Sequence, residues 1–194
     1  MHSSARFDDP ALRPIDRLLA VMAQLRNPDG GCEWDLAQTF PTIAPYTIEE
    51  AYELADAING GNTDQIRDEL GDLLLQVVFH AQIAKDEGLF DFDGVADTIA
   101  AKMIRRHPHI FGDGHALPLR EAWEEIKAAE RAQKPDVQNG AVAGVAHALP
   151  ALKRAEKLQA RAARVGFDWP DAAGPRAKVI EELAELEEAQ DSAA

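Results

Sequence analysis

The chain has 194 residues, of which 46% are hydrophobic, which is enough for a sizeable core in one domain or in one domain and a fragment. Its formal net charge of −14 at pH 7 excludes a general nucleic-acid-binding role, because nothing offsets phosphate repulsion along a duplex. Cys32 is the only cysteine, which excludes an internal disulfide and suits a reducing compartment.

The sequence also shows no targeting or membrane segment. The opening residues, MHSSARFDDP, contain no apolar stretch, and the apolar run at 73–84 is interrupted by Gln76, His80 and Gln82. We therefore expect a cytoplasmic protein with no membrane partner.

Helical periodicity recurs along the chain from its first part onward. A first helix is predicted at 12–25, with four apolar residues on its buried side: Leu18, Leu19, Met22 and Leu25. The segment RNPDGGCEWD then ends it with turn chemistry, and we expect a long loop as far as Pro45.

Two helices joined by a short turn follow this loop. Thr47 and Glu50 have the spacing of a capping box, so a second helix is predicted from Thr47 to the Asn-Gly-Gly-Asn turn at 59–62. The third helix, at 63–87, has six apolar residues on one face: Ile66, Leu70, Leu73, Val77, Ala81 and Ala84. Four others extend the apolar surface almost all round it: Leu74, Leu75, Val78 and Phe79. Such a helix is central to a bundle or is covered by a second subunit.

The rest of the chain is also helical in pattern. A fourth helix is predicted at 94–106, capped by Asp93 and ended by Pro108, and a fifth at 118–134. No convincing strand alternation occurs. We therefore predict an all-α helical bundle that is completed by dimerisation, and we expect a homodimer.

The sequence contains an internal similarity between its first and last parts. GCEWD at 31–35 resembles GFDWP at 166–170, and each is followed by a related helix opening, EEAYEL at 49–54 and EELAEL at 181–186. Nothing after Glu188 resembles the ELGD of the first copy. We interpret the last part as the beginning of a second copy of the domain, and a solvated acidic tail helix is the simpler alternative.

Two pairs of acidic residues lie in the neighbouring second and third helices. Glu50 and Glu53 are three residues apart, so they share one helix face. Glu69 and Asp72 have the same spacing inside an apolar stretch. If the short turn makes the two helices antiparallel, both pairs face each other. Four carboxylates at close range resist ionisation, and a hard divalent cation such as Mg²⁺ or Mn²⁺ removes that cost.

The first acidic motif alone has a simpler explanation than a metal site. Glu49 and Glu50 lie in the first turn of the predicted helix, where the helix dipole favours acidic side chains. The second motif is harder to explain as a solvated face, so the two together favour a metal site. A redox di-iron site is disfavoured, because it normally uses Glu-x-x-His and this sequence has Asp72 in the fourth position.

The acidic motifs EEAYE at 49–53 and ELGD at 69–72 resemble the EExxE…ExxD signature of the MazG-like nucleoside triphosphate pyrophosphohydrolases. Further segments resemble the same family in the same order: LRNPDGGCEWDLAQTF, APYTIEEAYEL, DELGDLLLQVVFHAQIA, GLFDF, RRHPHIFGD, WEEIKAAER and LPALKRAEKLQARAARVGFDW. Together they cover most of residues 15–190. The resemblance implies the fold of the all-α NTP pyrophosphatases.

The same resemblance implies an activity and a set of site residues. The expected reaction is hydrolysis of a nucleoside triphosphate to nucleoside monophosphate and pyrophosphate, in nucleotide-pool housekeeping. By the family motif, the ligands of Mg²⁺, with Mn²⁺ as a substitute, are Glu50, Glu53, Glu69 and Asp72. Glu49 is the candidate that positions or deprotonates the attacking water.

The resemblance also implies a domain organisation, since proteins of this family typically contain two copies of the fold. We expect a MazG-like domain at 10–134, a linker at 135–147 and an incomplete second repeat at 148–194. The motif EELAE at 181–185 has no ExxD partner in this sequence, so we expect no activity from the second repeat alone.

Four further residues are candidates for binding the substrate. Lys102, Arg105 and Arg106 share or flank one helix face and suit the triphosphate, although the end of a helix also favours cations for its own dipole. Trp34 is a candidate for stacking on the base, although a tryptophan beside Gly-Gly also suits a buried core position.

Two other function classes stay open from the sequence. One is a catalytically weak helical module of the same fold that serves in dimerisation or regulation. The other is a metal-dependent phosphohydrolase that acts on a diphosphate or an alarmone. A P-loop enzyme is excluded, because no glycine-rich loop with Walker spacing precedes a lysine.

Overall fold

The computed structural model describes residue 7, residues 10–112 and residues 140–191, and all regular secondary structure in these ranges is helical. The described residues form two units, one on each side of the gap at 113–139. The first contains α1 (Pro14–Leu25), α2 (Glu33–Ala37), α3 (Phe40–Gly60), α4 (Thr63–Asp86), α5 (Phe92–Arg106) and α6 (Pro108–Phe111). The second contains α7 (Ala151–Ala163) and α8 (Ala173–Asp191). The all-α fold class is thereby confirmed for the described residues.

Helix α1 contributes the predicted apolar face to the core. It begins at Pro14, whose fixed φ suits the first helical position and whose missing N–H would be unpaired there in any case. Met22 is fully buried, and Leu18, Leu19 and Leu25 pack against the same cluster. The predicted buried side of the first helix is therefore confirmed.

The segment after α1 folds back on that helix and then forms α2, which the sequence pattern did not predict. The N–H of Cys32 donates to the carbonyl of Leu25 at 2.8 Å, and the N–H of Gly31 donates to the carbonyl of Asn27 at 2.8 Å. A side chain at Gly31 would clash with the carbonyl oxygens of Leu25 and Asn27, so this close return requires glycine. The long loop expected as far as Pro45 is therefore wrong.

Helix α3 begins seven residues earlier than the predicted start at Thr47. Thr39 forms the capping box with Thr42, and its N–H donates to the Thr42 hydroxyl at 2.8 Å. Pro45 lies inside the helix and is exposed, so water can solvate the carbonyl of the preceding turn that lacks its N–H partner. The predicted capping box of Thr47 and Glu50 is wrong, because both residues are interior to the helix.

The turn between α3 and α4 forms as predicted. Gly61 closes α3 with a φ of +72°, in the left-handed region that favours glycine. The side chain of Asn62 then caps α4 by accepting from the N–H groups of Asp64 and Gln65 at 3.0 and 3.4 Å. With only two residues between them, the two helices run back along each other in antiparallel directions.

The core of the first unit lies between α1, α3 and α4. Its buried members are Met22, Ile43, Val78, Phe79 and Ile83. Partly buried apolar residues pack around them: Ile15, Leu18, Leu19, Leu25, Phe40, Leu75 and Phe92. The core thus includes the second half of α4 and the beginning of α3.

The predicted buried face of the third helix is only partly correct. Ala81 and Ala84 are buried, whereas Leu70 and Val77 are exposed. The first half of α4 extends past the core, so apolar residues there face solvent in the single chain.

Helix α5 follows a glycine stop, as predicted. Gly88 has a φ of +70° after the end of α4. The cap of α5 is Asp91, whose carboxylate accepts from the N–H of Gly94 at 3.0 Å, so the predicted cap at Asp93 is wrong. The helix ends before Pro108, as predicted, and the fifth predicted helix at 118–134 lies outside the described residues.

The second unit consists of α7 and α8 with the turns before and between them. The guanidinium of Arg161 donates to the carbonyl of Ala143, and Val145 is buried. Gly174 at the start of α8 lies so close to the indole of Trp169 that a side chain there would clash with the ring. Most of the large apolar side chains in this unit are exposed, among them Leu152, Phe167, Val179 and Leu183.

None of the helices in the described part of the chain has the combination of length and apolar character needed to cross a membrane.

Candidate metal centre

The acidic residues predicted to bind a metal lie on both sides of the α3–α4 seam. Glu50 is in the middle of α3, and Glu69 and Asp72 are in the second and third turns of α4. A second contact shows the register of the antiparallel pair. The hydroxyl of Thr47, one turn before Glu50 on α3, lies 3.1 Å from Nε2 of His80, two turns after Asp72 on α4. The seam therefore brings the middle of α3 opposite the first half of α4.

Three of the four predicted ligands come together in the structure. One carboxylate oxygen of each of Glu50, Glu69 and Asp72 lies within 4.8 Å of the other two. Glu50 and Glu69 are half-buried, and Asp72 is exposed. The group is thus open to solvent on one side and backed by the two helices on the other.

The electrostatics of this group follow from burial and from repulsion between like charges. Partial burial raises the pKa of the Glu50 carboxyl, and the negative charges of Asp72, Glu53 and Glu69 raise it further. Burial likewise raises the pKa of Glu69, with added repulsion from Glu53 and Asp72. Both acids are therefore harder to ionise here than in water.

Glu53 and Glu49 lie at the edge of this group. Glu53 is exposed and is outside the set of three clustered carboxylates, yet its charge raises the pKa of both Glu50 and Glu69. Glu49 is exposed, and its charge is the smallest of the named causes that raise the pKa of Glu50. The roles predicted for these two residues stay predictions.

The cluster fits a hard divalent cation by its chemistry. Its donors are all carboxylate oxygens, which Mg²⁺ and Mn²⁺ prefer. Within the described ranges, no lysine or arginine forms an ion pair with Glu50, Glu69 or Asp72. A cation would compensate charges that the described protein groups leave uncompensated, so the residues present can hold one.

A polar stripe continues from this cluster along α4 into the protein. Gln76 and His80 follow Asp72 at successive turns. Each carries a buried atom that has no hydrogen-bond partner within the described part of the chain, Oε1 of Gln76 and Nδ1 of His80. The ring of His80 stacks on Phe40, with centroids 5.6 Å apart and planes at 7°. Burial lowers the pKa of the His80 imidazole.

Trp34 lies close to the first half of α3. It is in α2 with 53% of its surface exposed, and its indole meets Tyr46 edge-on at a centroid distance of 6.3 Å. It also meets the buried ring of Phe79 at 6.4 Å. Tyr46 is one helical turn before Glu50, so an exposed aromatic surface lies next to the acidic cluster. The structure therefore does not place Trp34 in the buried core, and its role toward a base stays a prediction.

The three basic residues predicted to bind the triphosphate lie on α5, which follows the α3–α4 pair in the chain. Lys102 and Arg106 are half-buried and Arg105 is exposed, all within the last two turns of the helix. Their predicted contact with a triphosphate stays a prediction.

Sequence reasoning missed two residues that shape this region. Arg26 is buried, and its guanidinium donates to Asp86 at 2.7 Å and to the carbonyl of Gln38 at 3.1 Å, which ties the α2 segment to α4. The sequence around Arg26, at the end of an amphipathic helix, did not indicate that its side chain is buried and joins two segments. Tyr46 was also missed, although its position four residues before Glu50 places both on one helix face.

Both acidic motifs lie in a region that matches a known protein family. The family model of the MazG nucleotide pyrophosphohydrolase domain matches residues 38–111, which include both acidic motifs. A nucleoside triphosphate pyrophosphohydrolase of Escherichia coli K12 is 51% identical over 178 residues, which are 90% of this chain and 67% of that protein.

Other organisms contain similar proteins. The nucleoside triphosphate pyrophosphohydrolase/pyrophosphatase MazG of Thermotoga maritima is 47% identical over 177 residues, covering 91% of this chain and 68% of that protein. A nucleoside triphosphate pyrophosphohydrolase of Mycobacterium tuberculosis is 40% identical over 160 residues, covering 78% of this chain and 46% of that protein. On these matches the chain belongs to the MazG nucleotide pyrophosphohydrolase family.

Proposed function

We propose that this protein hydrolyses nucleoside triphosphates to nucleoside monophosphate and pyrophosphate, with Mg²⁺ as its cofactor and Mn²⁺ as a substitute. The observation that carries the proposal is the cluster of Glu50, Glu69 and Asp72, whose oxygens lie within 4.8 Å of one another in a protein of this family. Relatives that carry the name of this activity match almost the whole chain.

The clustered acids would hold the cation, and Glu53 would join them as a fourth ligand from the next turn of α3. A bound divalent cation neutralises charge on the triphosphate and lowers the pKa of a coordinated water. The rigid helix backbones fix the carboxylates, so that little reorganisation is needed when substrate arrives.

In the reaction, the oxygen of a water molecule attacks the α-phosphorus and the bond from that phosphorus to the bridging α–β oxygen breaks. Pyrophosphate leaves with the bridging oxygen, and the nucleoside monophosphate keeps the new hydroxyl oxygen. We assign to Glu49 the positioning of this water and the acceptance of its proton, since Glu49 is exposed beside Glu50. Positioning and charge stabilisation carry most of the rate enhancement in such a displacement.

Substrate binding would use the residues around the cluster. The exposed face of Trp34, with Tyr46 one turn from Glu50, suits stacking of a base. Lys102, Arg105 and Arg106 are the candidates for contact with the triphosphate. We therefore propose a nucleoside triphosphate as the ligand of this site. The protein is too acidic to suit nucleic acid as a partner.

We also infer a homodimer and a cytoplasmic setting, in which the nucleotide pool is located. Exposed apolar residues on α4, in a stripe of Leu70, Leu74 and Val77, support the dimer. The second unit resembles the first in order: a helix, then a tryptophan, which is Trp34 of α2 in the first unit and Trp169 between the helices in the second, and then a helix with an acidic motif, here Glu182 and Glu185. We therefore propose that residues 148–194 belong to a second copy of the domain.

The test is product analysis with a panel of ribo- and deoxynucleoside triphosphates in Mg²⁺. Monophosphate and pyrophosphate in equal amounts are expected. Release of orthophosphate would instead indicate a different phosphohydrolase. No turnover from an intact dimer would indicate a non-catalytic dimerisation or regulatory module of the same fold.

A further inference from the structure

Gln76 is a buried polar residue in the part of α4 that contributes to the hydrophobic core. Only 7% of its surface is exposed, and its carbonyl oxygen Oε1 is buried without a hydrogen-bond partner among the described protein groups. A buried acceptor without a donor destabilises the fold, and an apolar side chain of similar shape would avoid that cost. The amide is therefore unexplained by packing alone.

The position of Gln76 in the seam is fixed by its neighbours along α4. Asp72, four residues before it, lies in the carboxylate cluster with Glu50, and His80, four residues after it, contacts Thr47 at 3.1 Å. Since Asp72 and His80 both meet α3 on the same helix face, Gln76 lies on that face between them. It is buried and lies one helical turn from Asp72, a member of the carboxylate cluster.

The chemistry of the neighbouring groups suits an amide at this point. The Thr47 hydroxyl donates to the carbonyl of Ile43 at 3.4 Å and lies 3.1 Å from Nε2 of His80, while Nδ1 of His80 is buried without a partner among the described groups. Oε1 of Gln76 also has no partner among the described groups, and the amide N–H groups of Gln76 are donors that a carboxylate of the cluster can accept.

We propose that Gln76 is a positioning residue of the cation site, whose side-chain amide holds the Glu50 carboxylate in the orientation that binds a divalent cation. Carboxylates that bind metals are in general hydrogen-bonded by an outer layer of such groups, and loss of one weakens metal binding about 10- to 100-fold. The inference rests on the proposed function, because it assigns Glu50 to the cation site of that reaction.

The test is the substitution Gln76→Met, which keeps the size of the side chain and removes both its donors and its acceptor. The affinity of the nucleotide-free protein for Mn²⁺ and for Mg²⁺ is measured by isothermal titration calorimetry. The melting temperature is measured without cation. We expect cation binding to weaken about 10-fold or more. We also expect the melting temperature to stay the same or to rise by a few degrees, because a buried unpartnered acceptor is removed.

The control is Gln65→Met, the same change at an exposed position in the first turn of α4, which should leave cation affinity and melting temperature unchanged. Gln76→Leu serves as a second variant with a different apolar shape. If both substitutions at position 76 leave the cation affinity within about twofold of wild type, the amide is only a packing group and the inference is wrong.

The outcome is separable from that of the proposed function. Wild-type turnover to monophosphate and pyrophosphate tests the function, and the difference in cation affinity between wild type and Gln76→Met tests the inference. A wild-type protein that hydrolyses nucleotide while Gln76→Met binds cation normally would overturn the inference alone. A wild-type protein that binds no cation would overturn both.

Discussion

Asp72 is the exposed member of the carboxylate cluster, so its charge can be removed with little effect on packing. We predict that Asp72→Asn lowers Mg²⁺-dependent turnover at least about 100-fold. Loss of a direct cation ligand should reduce activity at least as much as loss of a group that only hydrogen-bonds such a ligand. The cation-free variant should be as stable as wild type or more stable, because one repelling charge is gone. Steady-state rates and thermal melting in a chelator measure the two effects.

Asp68→Asn provides the matched control for this substitution. Asp68 is exposed on α4 beside Glu69, and its charge also raises the pKa of Glu69, but it is not a member of the clustered set. It should keep most of the activity. Full activity of Asp72→Asn would show that the ligand assignment is wrong.

His80 gives the molecule a dependence of stability on pH that has a definite sign. Burial holds the pKa of its imidazole below the ordinary value of 6.5, so the unfolded chain binds this proton more readily than the folded chain. The contribution of His80 to stability is complete above the unfolded pKa and decreases as the pH falls toward the folded value. We predict that the free energy of unfolding of wild type decreases more steeply than that of His80→Gln as the pH is lowered from about 7.5 to 5.

Urea unfolding at a series of pH values measures this difference between wild type and variant. Because the other titrating groups are common to both proteins, their contributions cancel in the comparison. A parallel profile for His80→Gln would contradict the prediction.

At the scale of helices, one ion pair joins three segments of the first unit. Arg26 at the end of α1 bonds Asp86 at the end of α4, and its guanidinium also donates to the backbone carbonyls of Asp35 and Gln38 around α2. The side chain of Arg26 is 8% exposed and that of Asp86 is 33% exposed. The ring of Phe79 lies 5.7 Å below the guanidinium. Arg26 thus ties the α2 segment, which contains Trp34, to α4.

We predict that Arg26→Met destabilises the protein by about 2–3 kcal/mol, somewhat below the cost of breaking a fully buried pair because Asp86 keeps contact with water. Chemical denaturation measures the change. The matched control is Arg13→Met, which breaks another arginine–aspartate pair of 2.7 Å, with Asp16, on the surface. That change should leave the free energy of unfolding nearly unchanged, since exposed pairs contribute little. Equal effects of the two substitutions would contradict the prediction.

The elements show which parts of the structure local sequence patterns determine. The turn at 59–62, the extent of α4 and the end of α5 before Pro108 were predictable, because glycine and proline act on the backbone where they stand. The start of α3 was not, because Thr39 caps the helix while two prolines in its first turns suggest a loop. Tolerance of those prolines depends on their exposure, which is a tertiary property.

The candidate site was predictable to a similar degree. The acidic motifs and the short turn together indicate that carboxylates of α3 and α4 meet, and three of them do so in the structure. The position of Glu53 at the edge depends on the angle between the helices. The buried role of Arg26 depends on contacts across sixty positions, which helical periodicity does not contain.

At the scale of the whole molecule, the apolar stripe on α4 is exposed in the single chain. Leu70, Leu74 and Val77 recur at helical spacing and are 51%, 39% and 38% exposed. On the neighbouring helix α3, Ile48 and Tyr52 are 45% and 54% exposed. A second copy that packs the same surface against this one would remove these side chains from water through a closed twofold contact.

We predict that wild-type protein is a dimer in solution and that Leu74→Arg shifts it toward monomer. The introduced arginine would be buried opposite the same arginine of the second copy, without an acidic partner. Light scattering after size exclusion, over a range of protein concentrations, measures the mass. The matched control is Leu152→Arg, at an exposed leucine of the second unit, which should remain dimeric. If Leu152→Arg dissociates the dimer and Leu74→Arg does not, the contact lies in the second unit. The exposed stripe on α4 would then need another explanation.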